Sequence, residues 1–221
     1  MRLSPPGRHQ RGHTLTVALM LLMLVSMAVV GSARLMLDEQ RIGANQTDRH
    51  LAFELAELAL RQGEAEAEQL DAELDVAGRS EDALWGRNGL FTAGCANAGN
   101  PERWRQGLCA PPGRGGQQTM PWLGVRTYVA SEGAVRGGTV SLLHPCGQAR
   151  EFAYETPRAQ NRCAAVVSGS RVWANPRYLI ELVDPAHSDA RGSGRLYRIT
   201  ARAWGKSANT VVTLQSFYLV P

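Results

Sequence analysis

No charged side chain occurs in residues 15–33, and no proline lies between Pro6 and Pro101. Those 19 uncharged residues, as a helix, just cross a hydrocarbon core of roughly 30 Å. Thr16, Ser26 and Ser32 are tolerable there because a hydroxyl can bond back to its own helix. The helix-compatible pattern continues to about Ala77, with Gly31, Gly43 and Gly63 as its soft spots. A bend or loosening is expected at the first two. Past the apolar run, Ile42, Leu51, Leu55, Leu58 and Leu70 recur near helical spacing, with Ala52, Ala56 and Ala59 between them. The second half of the helix is therefore amphipathic, with a face to lay against a domain.

Charge follows the same division. The chain has 221 residues and a net charge of +4, but Arg2, Arg8 and Arg11 all precede His13 and no acidic residue does. Without those three, 21 basic residues face 20 acidic ones. The basic excess sits on the flank of the apolar run, where it holds the preceding segment on the cytoplasmic side. No basic stripe is interleaved with aromatics, so nucleic acid is not an expected partner.

Cys95, Cys109, Cys146 and Cys163 all lie beyond the apolar run, none in a C-x-x-C. That argues for disulfides in an oxidising compartment and against zinc or thioredoxin-like chemistry. Three pairings are open. Nearest neighbours, Cys95 with Cys109 and Cys146 with Cys163, are favoured, each closing a loop of about 15 residues for roughly 3 kcal/mol.

From around Arg79 the chain is dense in Gly, Pro and Asn, as loops are. Strand-like pieces follow at 123–130, 138–144, 177–184, 195–205 and 210–220. The last three alternate apolar and polar residues, and 195–220 reads as a hairpin turning at 205–209. The expected fold class is α+β, one long N-terminal helix packed on an antiparallel sheet.

Nothing assembles into a catalytic motif. His9, His13, His50, His144 and His187 show no metal spacing. His50 belongs on a solvated helix face, and His144 and His187 in loops. "SGS" at 168–170 is turn chemistry, and "GRGG" at 113–116 follows no strand and opens no helix. Glu54, Glu57 and Glu64 lie at helical spacing from Arg49 and Arg61, as surface pairs do. No enzyme, metal or cofactor is expected.

The stretch "RGHTLT" at 11–16 joins the basic leader to the apolar run. A short basic leader, a Gly, then a helix that begins in lipid and continues into a disulfide-bearing domain resembles a type IV prepilin. "QRGHTLTVALMLLMLVSM" and the series "IGAN…DR…AF…AE.ALR.GE", over residues 10–64, resemble the N-terminal region of PilX-type minor pilins. "PRYLIELV" (176–183) and "YRITARAWGKSANTVVTLQSFY" (197–218) resemble that group's closing strands. The resemblance leaves the middle, about 70–175, unmatched.

The resemblance implies cleavage by a prepilin peptidase between Gly12 and His13, with methylation of His13. It implies a leader at 1–12, a transmembrane and assembly half-helix at 13–36, an amphipathic half at 37–77 and a periplasmic domain at 78–221. Most pilins carry Glu at the fifth mature position, where it pairs with a neighbour's N-terminal amine; here that position is Val17. Within the family this departure goes with the subunit at the filament tip. Implied partners are other minor pilins, the major pilin, the inner-membrane assembly platform and a tip adhesin. The implied roles are priming of pilus assembly, twitching motility and adhesion. One alternative is the tip pseudopilin of a type II secretion system. Another is a secreted or anchored binding domain matured after Ala33, since "GSA" at 31–33 resembles a signal cleavage site.

Overall fold

The computed structural model describes residues 13–77, 80–85, 89–95, 106–128, 138–154, 171–190 and 192–221. Its contacts divide the chain into two compact units, Met1–Thr47 and Asp48–Pro221. One helix, α1 (His13–Ala77), begins in the first and supplies the second with its helical layer.

In the first unit α1 is helical without a break through Gly31 and Gly43. A helical glycine keeps both of its backbone hydrogen bonds and costs only about 1 kcal/mol. The Thr47 hydroxyl additionally donates to the Gly43 carbonyl at 2.9 Å.

The second unit is built on a mixed, mostly antiparallel sheet. In chain order its strands are β1 (Leu108–Cys109), β4 (Arg150–Glu151), β5 (Arg177–Asp189), β6 (Gly192–Trp204) and β7 (Val211–Val220). The main path is β1-β5-β6-β7, with β4 also paired to β5. The β1–β5 pair is parallel, setting Leu108 beside Ile180, and the other pairs are antiparallel. A separate hairpin joins β2 (Val125–Tyr128) to β3 (Gly138–Ser141). The expected closing hairpin is present, with Gly205 donating its N–H to the Thr210 carbonyl at the turn.

The helix meets this sheet along Ala52, Ala56, Ala59, Gly63, Ala67, Leu70 and Leu74, three or four positions apart and all buried. Five of the seven are Ala or Gly, which lets the two backbones come close. A Cβ on Gly63 would lie 2.6 Å from Ile199 Cγ2, so the contact is built for glycine. Against this stripe the sheet sets Tyr178, Ile180, Tyr197, Ile199 and Ala201. The leucine pattern was a partly wrong guide: Ile42 is 57% and Leu58 41% exposed. Alanines mark the packed face, and the larger side chains at 42 and 58 stand off it.

The opposite sheet face is covered by the Gly- and Pro-rich middle. Leu179 packs there with Cys95, Cys109, Leu142, Leu143 and Ala149. β5 is consequently buried over its first six residues. His187, expected in a loop, lies on β5. Pro185 is accommodated because the β5–β6 register shifts on either side of Asp184, and bulges tolerate proline within a strand.

Candidate assembly surface and the seam behind it

Within the first unit, every described side chain from 13 to 36 is exposed. Leu15, Val17, Leu21, Leu24, Met27 and Val30 are among more than a dozen bare apolar side chains on this helix. It is long and apolar enough to cross a membrane. Its hydroxyls are internally satisfied: Thr16 donates to the His13 carbonyl at 2.9 Å, and Ser26 and Ser32 to those of Leu22 and Ala28 at 2.7 Å. Gly12 lies outside the described residues. His13 opens α1, and Val17 stands one turn further on with its side chain exposed.

In the second unit a polar seam runs beside the apolar stripe. Glu64, Glu68, Asp71 and Asp75 recur at spacings of four, three and four on α1, and all four reach the sheet. Glu64, expected in a surface pair, accepts the Ser216 hydroxyl at 2.8 Å. Glu68 accepts from the Tyr218 hydroxyl. Asp71 pairs with Arg195 at 2.6 Å and accepts the Tyr197 hydroxyl at 2.9 Å. Asp75 takes the other arm of Arg195 at 2.6 Å. Between them Glu66 pairs with Arg150 and accepts the Tyr178 hydroxyl at 2.5 Å.

Burial pushes the Tyr178 and Tyr197 phenols up, with Glu66 and Asp71 adding to the effect. Arg195 also loses solvent, but its bonds to Asp71 and Asp75 more than offset that and hold its pKa above the usual arginine range. Two-partner hydrogen bonding of this kind is what makes a buried guanidinium tolerable. The seam was missed in the sequence, where the signal available was the acidic spacing together with a tyrosine on each of three strands.

A second polar tie sits at the start of this unit. Asp48 accepts the Lys206 N–H at 2.5 Å. Burial works against its charge. The Lys206 N–H, the Thr210 hydroxyl, the Ser207 N–H and the Lys206 charge outweigh it and lower the Asp48 pKa.

Of the four cysteines, Cys95 and Cys109 form a disulfide, as favoured. It joins the segment before β1 to β1 itself, beneath Leu142 and Leu143. Cys146 is also disulfide-bonded; its favoured partner Cys163 lies outside the described residues, as does "SGS" at 168–170. His50 is exposed on α1, as expected. His144 occupies a turn after β3, where its Nδ1 accepts the Cys146 N–H at 3.1 Å. "GRGG" forms a tight turn in which Gly113, Gly115 and Gly116 take positive φ.

A bare apolar half-helix, continued by a half locked to a hairpin-closed sheet, fits a membrane-anchored pilin, a structural subunit of a fibre. Residues 11–61 match the family described as PilX N-terminal, and residues 93–220 that described as Type IV pilus assembly protein PilX C-term. The chain belongs to the PilX family of type IV pilus minor pilins. The second match extends the family into the middle of the chain, which the resemblance in sequence had left out. The second description names the type IV pilus, which favours it over the secretion-system alternative. No curated protein matches the chain, and no solved structure does.

The family series acquires physical roles here. Its Asp48 holds the hairpin turn, its Ala52 and Ala56 are buried against the sheet, and its Gly63 admits Ile199.

Proposed function

We propose that this minor pilin is cleaved after Gly12, methylated at His13, and acts in a tip complex that primes type IV pilus assembly. Residues 13–36 hold it in the inner membrane before assembly, 37–77 carry the rest of the helix, and 78–221 lie in the periplasm and then at the pilus tip. A prepilin peptidase removes the leader, and the assembly platform draws the subunit into contact with other minor pilins and the major pilin. A tip adhesin rests on the complex, and twitching motility and attachment follow from the fibre it starts.

The bare apolar surface of residues 13–36 carries this reading. A cleaved signal is discarded, whereas a retained apolar half-helix exchanges lipid contacts for neighbouring helices as the fibre grows. Val17 supports the tip position. A Glu there would bring into the membrane a charge that is costly unless partnered, repaid only by a neighbour's amine. A subunit with nothing above it has no such amine to meet.

The test is the intact mass and N-terminal sequence of the protein taken from membranes of its host. Methylated His13 as first residue is the expected result. Arg34 as first residue shows a disposable signal and ends the proposal.

A further inference from the structure

β7 is an edge strand without the usual protections. Among the described residues it pairs with β6 alone, and that ladder runs without a register shift from Arg195↔Val220 to Trp204↔Val211. Its sequence, VVTLQSFYLV, holds no charge and no proline. Soluble domains blunt long edges with charges, prolines or bulges, because a regular bare edge recruits another strand. Antiparallel pairing directs alternate residues toward β6 and leaves the rest facing outward. Counted from the Gly205-to-Thr210 bond at the turn, residues 211, 213, 215, 217 and 219 carry their N–H and C=O groups on the free edge.

The side chains on the exposed face of that edge are specific. Phe217 is 63% exposed and lies 5.7 Å from the Arg198 guanidinium, which also donates to Met120 Sδ at 3.3 Å. Arg198 is neutralised by Glu181 at 2.5 Å, so this end of the face is effectively apolar. Four residues along β7, Thr213 sits opposite Arg202 and accepts from its Nε at 3.0 Å. Arg202 also donates to the Ser141 hydroxyl at 3.3 Å.

Arg202 differs from its neighbours. Arg150, Arg177, Arg195 and Arg198 each hold a carboxylate, while Arg202, among the described residues, holds only two hydroxyls. Burial lowers its pKa, with no acidic group to offset the loss of solvent. A half-buried guanidinium in that state favours an incoming carboxylate.

We infer that the β7 edge receives an extended segment of another pilus subunit, which adds as a strand. On one face that segment carries a carboxylate over Arg202 and Thr213 and, four residues away, an apolar side chain against Phe217 and Met120. The backbone ladder supplies the affinity and the two side chains the specificity. The occupant is not a second copy joined edge to edge, because β7 has no carboxylate to offer Arg202. The inference rests on the chain assembling with other pilins.

The test uses the full chain in its host, with a photoreactive phenylalanine analogue at Phe217 and, separately, at Leu24 in the apolar half of α1. The expected result is a Phe217 adduct with a different pilus subunit, its cross-linked peptide bearing an acid four residues from an apolar side chain. Arg202→Gln is expected to lower that yield roughly tenfold or more. Gln215→Pro removes an outward N–H while sparing the β6 ladder, and lowers it likewise. Unchanged unfolding midpoints show that both variants are folded. Retention of the adduct in both folded variants overturns the inference, as does an adduct with a second copy. Loss of the Phe217 adduct in the parent protein also overturns it; if Leu24 still cross-links, assembly with other pilins stands, and if Leu24 is silent too, that reading falls as well.

Discussion

Asp48 accepts the backbone N–H of Lys206 at 2.5 Å across 158 positions of sequence, tying the start of the globular unit's helix to the turn of its last hairpin. Gly205 is what admits this contact, since a Cβ there would run into the Asp48 carboxylate. Hydrogen bonds to charged groups are worth about 1.5–3 kcal/mol. Asp48→Ala is therefore expected to destabilise the full-length protein in detergent by that order in urea unfolding, and Asp48→Asn by less. The folded pKa lies below the ordinary aspartate value, so the contribution is fully present above that ordinary value and is lost as pH falls through the lowered one. The gap between parent and Asp48→Asn should close along that acid limb.

Arg195 discriminates between its two acids. Asp71 is 7% exposed at its side chain and Asp75 52%. Asp71→Ala removes the buried partner of Arg195, leaves it only the exposed Asp75, and strands the Tyr197 hydroxyl, so it should cost about 2–3 kcal/mol. Asp75→Ala leaves the main pair intact beside water and should cost about 1 kcal/mol or less. Equal losses in chemical denaturation would contradict this ranking.

Much of this architecture was legible because periodicity is a local property. The uncharged run, the absence of proline to Pro101 and the alternation after Arg177 led directly to α1, β5, β6 and β7. The packed face of α1 was read less well. Leucines dominate a hydrophobic pattern, yet close approach of helix to sheet selects Ala52, Ala56, Ala59, Gly63 and Ala67. β1 and β4, two residues each, carry no period at all and exist through pairing with β5. The polar seam joins residues more than a hundred positions apart, as in Asp71 and Arg195, and no local pattern encodes such a pairing. The Cys95–Cys109 disulfide was accessible only because short loops are the easiest to close.

His144 should make stability depend on pH near neutrality. Burial lowers its pKa below 6.5, and the charges of Arg177 and Arg202 lower it further. The unfolded chain binds a proton near 6.5 while the folded one still resists it. Stability therefore falls as pH drops below 6.5, until the folded value is reached, by at most about 1.4 kcal/mol per pH unit. Protonation also removes the Nδ1 acceptor used by the Cys146 N–H. His144→Asn keeps an acceptor and does not titrate. Comparing the two proteins by urea unfolding at pH 7.5 and 5.5 should show the larger acid loss in the parent.

Val17 offers the sharpest functional contrast. Its side chain lies exposed on the apolar half-helix, where lipid or neighbouring helices cover it in the reading proposed above. Val17→Leu keeps that surface apolar and should leave pilus number unchanged in a deletion strain carrying the variant. Val17→Glu places a carboxylate within the apolar run, where a charge is costly unless partnered. In a shaft subunit the amine of the next pilin offsets that cost; at the tip no such amine exists. Fewer surface pili, counted by electron microscopy, are therefore expected for Val17→Glu. A variant that assembles at normal numbers and is labelled along the filament's length would place the subunit in the shaft.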